Sequence, residues 1–259
     1  MNDGLRKKFQ SGETAYGLWV TLESPAITEV AAKLGLDWIC IDLEHGPLDY
    51  RNVRNHLLAA RGSGLSVLVR PPTHELEPTK RVLDLGADGI ILPMVETADQ
   101  VLAAGENMLY PPQGRRGIGG ERNVCWGLEI DEYVSGANNA VILIPMIETR
   151  QAAENIDEIL AVPGLEAIFL GPGDMSASYG FVGQWEGPGV AEINLNLKQS
   201  AAAKCIPTGV VGRNVGDVLE RRNQGFGMVS IGSDIGLMVR ELQANITALE
   251  KDSVPHRWF

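Results

Sequence analysis

Asp42, Glu44 and His45 stand together at the end of a short apolar, β-branched run, and Gly46-Pro47 closes that run. It reads as an interior parallel strand whose end delivers two carboxylates and an imidazole to one place. An imidazole titrates near neutrality, so His45, with Asp42 holding one tautomer, has the makings of a general acid/base. Asp42 and His45 would serve equally well to cap a following helix, and these residues alone leave both readings open.

Further along, Glu148 and Asp174 are isolated carboxylates that suit a hard divalent cation with oxygen ligands. Such a site would hold Mg2+ or Mn2+ weakly and polarise a bidentate 2-oxo acid as a Lewis acid. No pair of histidines has zinc spacing. Arg70 ends another β-branched run before Pro71-Pro72, and its planar fork of donors is the natural clamp for carboxylate or enolate oxygens. His56 in a helix, His74 in a Pro-flanked loop and His256 in the tail read as solvated or satisfied imidazoles. Lys7, Lys8, Lys33, Lys80, Lys198, Lys204 and Lys251 all fall in helices or the tail, which disfavours a Schiff-base aldolase.

For these groups to meet, the chain must fold so that strand ends converge. Strands are expected at 16–21, 37–43, 66–70, 89–95, 140–147, 167–170, 206–211 and 228–231. Each precedes a helical pattern, with helices at 50–61, 78–85, 97–109, 150–160 and 190–204, and a further helix entered through Ser24-Pro25. Eight strand–helix pairs predict an α/β fold, a closed (β/α)8 TIM barrel forming one domain over 1–259. No GxGxxG motif favours a dinucleotide fold instead. In such a barrel the active face is the carboxyl rim. That rim would carry Trp19, then Asp42, Glu44 and His45, then Arg70, Pro93-Met94, Glu148, Gly171 to Asp174, Gly209 to Gly212, and Ser233-Asp234. Asp174 could be only a cap and Glu148 only an ion pair, but their convergence carries the functional reading.

Two further segments stand out. The insert between Leu109 and Asn139 is Gly- and Arg-rich without a Walker ending, and is expected to be ordered by another subunit. The final helix, with Asp234 as its expected N-cap, shows an apolar stripe of Leu237, Met238, Leu242, Ile246 and Leu249.

The 259 residues are 44% apolar, ample for a large core, and carry a formal charge of -11. That charge opposes nucleic acid or an anionic membrane as partner, and a small anionic substrate would need a local basic group. Cys40, Cys125 and Cys205 lack CxxC spacing and read as reduced thiols. Residues 1–10 lack a signal core and no apolar run has membrane-spanning length, so a cytoplasmic protein is expected.

The chain also resembles a known family, the HpcH/HpaI metal-dependent pyruvate aldolases. The matching phrases are Gly17-Leu18-Trp19 with Ser24-Pro25, Ile41 to His45, Val69-Arg70-Pro71, Gly86 to Val95, Tyr110-Pro111-Pro112 with Arg116-Gly117, Ile147-Glu148-Thr149, Leu170 to Asp174, and Ile231 to Asp234. The resemblance implies reversible aldol cleavage of a 4-hydroxy-2-oxo acid to pyruvate and an aldehyde, through a pyruvate enolate on a divalent metal held by Glu148 and Asp174. Mg2+ or Mn2+ is the implied ion, with Co2+ or Zn2+ as further candidates. His45 with Asp42 would be the base, Arg70 would stabilise the pyruvyl oxygens, and amides around Gly171, Pro172, Gly173 and Asp174 would hold the carboxylate. Glu44 would sit behind metal-bound water, and Asp84 would approach a neighbour's site. Homohexamers, trimers of dimers that exchange the C-terminal helix, are typical of the family. Met146 stands where many members carry Gln, and 181–189, with Gln184-Trp185-Glu186, departs from the usual helix entry. Trp19, Met146, Val210 and Val211, together with Arg116 of the insert across a subunit interface, are expected to line the substrate pocket.

Two other functions compete. An oxaloacetate-using enzyme of the same family would decarboxylate it, or condense it with acetyl-CoA as a siderophore-linked citrate synthase does. A non-catalytic metabolite sensor on an inherited barrel would be free to lose His45, Arg70, Glu148 or Asp174, and all are present.

Overall fold

The structure, a computed structural model, describes residues 3–249 and Lys251, so His256 lies outside the described residues. Eight parallel strands close into a barrel in chain order: β1 (Ala15–Val20), β2 (Trp38–Asp42), β3 (Ser66–Arg70), β4 (Gly89–Leu92), β5 (Ile142–Ile147), β6 (Ile168–Leu170), β7 (Thr208–Val211) and β8 (Met228–Ser233). The expected (β/α)8 barrel is therefore the observed one, with β8 paired back onto β1.

Strand alternation decides which side chains reach the site. Trp38 and Cys40 of β2 pack inside the barrel with Leu68 of β3 and Phe169 of β6, while Ile39, Ile41, Val67 and Val69 pack outward under the helices. Asp42 comes two residues after Cys40 and Arg70 two after Leu68, so both arrive on the inner side as register partners. The same rule turns Val211 inward and Val210 outward into the layer beneath the helices. Val210 is thereby removed from the expected pocket. The barrel axis is filled by Trp38 and Phe169, edge to face at 6.2 Å. Glycine at 209 allows this, because a Cβ there would lie 2.3 Å from the Phe169 ring.

Around the barrel run α1 (Gly4–Ser11), α2 (Ala26–Lys33), α3 (Tyr50–Ala59), α4 (Leu76–Asp84), α5 (Ala98–Met108), α6 (Ile130–Ala140), α7 (Arg150–Glu154), α8 (Ile156–Ile159), α9 (Pro172–Ser178), α10 (Val190–Ala203), α11 (Val215–Asn223) and α12 (Asp234–Ala248). Several expected boundaries shift. The helix at 150–160 is split at Asn155, whose side chain donates to the Glu96 carbonyl at 2.8 Å. Pro25 rather than Ser24 is the N-cap of α2, with no side-chain cap. Ser233, not Asp234, caps α12. Asp234 instead accepts the Thr21 and Leu22 amides at 3.0 and 2.9 Å, tying β8 to the end of β1. The short helix α9 had no periodic signal. Among the described residues no helix is long and apolar enough to cross a membrane.

The insert, expected to be ordered by another subunit, makes contacts within its own chain. It contains a 3-10 turn at Arg122–Gly127 followed by α6, and Asn138 bonds both the amide and the carbonyl of Tyr110. Arg116 has no exposed side-chain surface; it pairs with Asp84 at 2.9 Å and lies over the Tyr110 ring at 4.6 Å. As a helix-to-strand connection the insert lies at the amino ends of the strands, opposite the active rim, so Arg116 cannot line a pocket within this chain. An Arg116→Ala protein should lose roughly 3 kcal/mol of stability in urea unfolding, because Asp84 is left unpaired beside a void. A loss under 1 kcal/mol would mean that the guanidinium does not hold the insert.

Candidate active site

A cavity of about 470 Å3 opens at the carboxyl ends of the strands. It is lined by Trp19, Asp42, His45, Arg70, Met146, Glu148, Gly171, Pro172, Gly173, Asp174 and Val211. Most of the residues expected on one rim thus meet, Ser233 among them, whereas Glu44, Pro93, Met94, Gly209, Val210, Gly212 and Asp234 of that rim do not line the cavity. Phe169, Trp185, Thr21 and Ile235 also line it and were missed. Alternation along β6 could have found Phe169, whereas Trp185 lies in a loop that no periodicity reports.

Arg70 is the electrostatic centre. Its Nε and Nη2 donate to the two oxygens of Asp42 at 2.9 and 2.7 Å, Nη1 lies 3.0 Å from Glu44 Oε2, and the guanidinium sits 4.6 Å from the Trp19 ring. Burial alone would pull its pKa down, but the hydrogen bonds and charge of Asp42, joined by the charge of Glu44, outweigh that and raise it. Arg70 is a permanent cation held at one place. The thioether of Met146 lies 3.8 Å from Nη1, where glutamine would have offered a polar oxygen.

Asp42 does not orient the His45 ring. With both oxygens on Arg70, it also accepts the backbone N–H groups of Glu44 and His45 at 3.1 and 3.3 Å, which shapes the turn. The expected Asp42–His45 side-chain bond is corrected accordingly. The His45 side chain is 67% exposed at the cavity mouth, with Nε2 3.9 Å from Glu44 Oε2. His56 is the buried, satisfied residue anticipated, bonded to Thr28 and the Leu22 carbonyl, and His74 bonds the Pro93 carbonyl.

Glu148 is buried on the opposite wall. Its Oε1 accepts the Met94 N–H at 2.6 Å, and Met94 holds that N–H in place from the left-handed region at φ 49°. Oε2 is buried with no hydrogen-bond partner. Burial, aided by the nearby charge of Asp174 and opposed by the Met94 bond, pushes the Glu148 pKa up to about 7. Gly171 is required beside it, since a Cβ there would fall 2.4 Å from Oε2. Asp174 lies exposed in the first turn of α9, and with Glu148 it also walls a second cavity of about 510 Å3 that reaches Glu96 and Ser178.

No cluster of three or more His, Cys, Asp or Glu that could hold a metal occurs among the described residues. The two carboxylates nonetheless fit a hard divalent cation: one unpartnered buried oxygen and one exposed carboxylate share a wall, leaving the other positions to water and substrate.

A (β/α)8 barrel that gathers a locked arginine, a mouth histidine and this carboxylate pair at its carboxyl rim has the frame of a carbon–carbon lyase acting on 2-oxo acids. The chain belongs to the HpcH/HpaI aldolase/citrate lyase family, whose model matches residues 15–240. It is 36% identical to a 4-hydroxy-2-oxovalerate aldolase of Novosphingobium aromaticivorans, covering 90% of this chain and 88% of that one. It is 33% identical to a hydroxypyruvate/pyruvate aldolase of Roseobacter denitrificans, covering 90% and 92%. Among solved structures it matches an HpcH/HpaI family protein from Burkholderia cenocepacia at a TM-score of 0.92 and 28% identity, covering 97% and 100%. The citrate synthase SbnG matches at 0.84 and 26%, covering 95% and 97%.

The raised Glu148 pKa has a measurable cost. A carboxyl whose pKa rises on folding stabilises the fold fully below its ordinary value of 4.5, and that contribution is lost as pH climbs toward about 7. The loss is about 3 kcal/mol. In EDTA, Glu148→Gln should therefore be more stable than wild type by up to that amount at pH 8, with no gain near pH 4.5. Urea unfolding at both pH values checks this; an equal offset at each would remove burial of the charge as the cause.

Proposed function

We propose that the protein is a divalent-metal-dependent aldolase that reversibly cleaves a 4-hydroxy-2-oxo acid into pyruvate and an aldehyde. The observation that carries this reading is the buried, unpartnered Glu148 oxygen beside Asp174, facing a fixed arginine across one cavity. Glu148 and Asp174 would hold Mg2+ or Mn2+, which when bound supplies Lewis acidity to the 2-oxo group. Arg70, immobilised by Asp42 and Glu44, would bind the pyruvyl oxygens and stabilise negative charge as it develops there. Its reserve is limited, because Asp42 already takes Nε and one Nη2 proton. Pro172 has no N–H, so Gly173 and Asp174, in the first turn of α9, would supply backbone donors to the substrate carboxylate.

His45 would accept the proton of the 4-hydroxyl as the carbon–carbon bond breaks and return one in the reverse direction. Its exposure suits a group that exchanges protons with solvent. Oxaloacetate is the second substrate to examine, since the same oxygens and the same arginine would bind it, and the match to a citrate synthase makes acetyl-CoA the co-substrate to add. The reading includes a cytoplasmic setting, in keeping with three free cysteines.

The assembly proposed is a hexamer, a trimer of dimers that exchange α12. Leu242 on that helix and Leu249 at its C-cap are 53% and 69% exposed, apolar surface that such an exchange would cover. In that assembly Asp84 would approach a neighbour's site. Leu242→Glu should shift the sedimentation coefficient to a smaller species; an unchanged hexamer would rule out α12 as the contact.

Pyruvate release from 4-hydroxy-2-oxo acids and from oxaloacetate, with EDTA and then with restored Mg2+ or Mn2+, tests the reaction. Hydroxy acids should be cleaved only with metal, and His45→Ala should lower kcat by a factor of roughly 100 or more. Consumption of oxaloacetate alone would move the assignment to decarboxylation or thioester condensation. Absence of any chelator-sensitive turnover would leave the sensor.

A further inference from the structure

The loop at 181–189 departs from the rest of the chain in composition, and it supplies a wall of the cavity. Trp185 lines the mouth and packs against the barrel-interior cluster that includes Trp19, Met146, Phe169 and Val211. Its neighbour Glu186 points the other way, outside the cavity, and accepts from Arg213 at 2.7 Å and Arg221 at 3.1 Å. Both arginines are held in turn by the buried Asp217, at 3.1 and 2.9 Å. Exposed ion pairs taken singly contribute little stability. A network of four charges anchored on one buried carboxylate does something else: it fixes where the loop sits, and so where the indole stands.

The charges of the cavity point the same way. Arg70 is its only lysine or arginine among the described residues, and Asp42 and Glu44 already engage it. The pyruvyl half would take what Arg70 has left. A carboxylate on the second substrate would then be desolvated beside Asp42, Glu148 and Asp174 with no cation of its own, whereas an alkyl or aryl group would meet Trp185, Trp19 and Val211.

We propose that Trp185, positioned by the clamp of Glu186 on Arg213 and Arg221, forms the acceptor subsite and selects a neutral, apolar aldehyde over a carboxylated or polyhydroxylated one. The inference rests on the aldolase reading and names its substrate class. In the synthetic direction the methyl carbon of pyruvate loses a proton and bonds to the aldehyde carbonyl carbon, whose oxygen takes up a proton. No oxidant, reductant or further reactant is needed.

The test uses the Mg2+-loaded full-length enzyme and two readouts. Exchange of the pyruvate methyl protons in D2O, with no aldehyde present, reports on the aldolase reading alone. Aldol addition to propanal, pentanal, benzaldehyde, glyceraldehyde and succinic semialdehyde reports on the subsite. Wild type should gain roughly three- to fourfold in kcat/KM per added methylene. It should prefer pentanal to succinic semialdehyde by roughly a hundredfold. Trp185→Ala should lower that preference roughly tenfold, and Trp185→Phe should keep most of it. Glu186→Gln, which leaves the indole present but frees the loop, should raise KM for pentanal more than it lowers kcat. Exchange without a preference for apolar aldehydes, or a preference that Trp185→Ala leaves untouched, would overturn the inference while sparing the aldolase reading. Absence of exchange in wild type would sink both.

Discussion

The buried pair of Asp42 and Arg70 is the interaction on which the site depends. An arginine at 7% exposure on the inner face of a barrel is tolerable only because a carboxylate one strand away takes both of its parallel donors. The pairing follows from register: Asp42 and Arg70 are Cα partners in adjacent parallel strands, so two inward-facing side chains at the same height meet without any loop having to place them. One partner without the other would leave a lone charge in the wall of an apolar cavity. Asp42 also takes two backbone amides of the turn that carries Glu44 and His45. The arginine, the turn and the mouth histidine are therefore positioned by a single carboxylate.

The opposite wall is built on different terms. Glu148 has one oxygen on a backbone N–H and the other on nothing, and glycine at 171 leaves the room it occupies. Such a carboxyl is a liability to the fold and an asset to a cation, since ligands that are costly to leave uncompensated bind most readily. Met94 repeats the pattern in the backbone. A non-glycine residue in the left-handed region is costly, and what it provides here is the donor that fixes Glu148. Both residues carry a local cost on the Glu148 wall, while the arginine side is tightly satisfied.

Much of this was legible in the sequence because strands carry a period of two. That period puts Asp42 and Arg70 inside at the last residues of their strands and, continued one residue past β5, Glu148 as well, and the same arithmetic separates Val211 from Val210. The failures have a common physical origin as well. Asp42 as an orienter of His45 was inferred from nearness in sequence, but a partner across the sheet competes for the same oxygens and wins. The burial of Arg116 was not foreseen because Gly- and Arg-rich segments show no periodicity, and aromatic stacking with one buried ion pair leaves no repeating signature. Trp185 was invisible for the same reason. Loops place side chains by contacts that only the folded chain reveals.

The charge of the chain sharpens the role of the rim. At -11 overall, the surface repels the 2-oxo acids that the cavity is shaped to take, so long-range attraction cannot concentrate them. Capture must come from groups that act at contact distance, and within the cavity those are Arg70 and any cation that the proposed carboxylate pair would hold. A second anionic reactant would meet neither attraction at long range nor a free cation at short range. The acidic surface and an arginine with little donor capacity to spare thus push in one direction, toward a reaction in which one partner is an anion and the other is not.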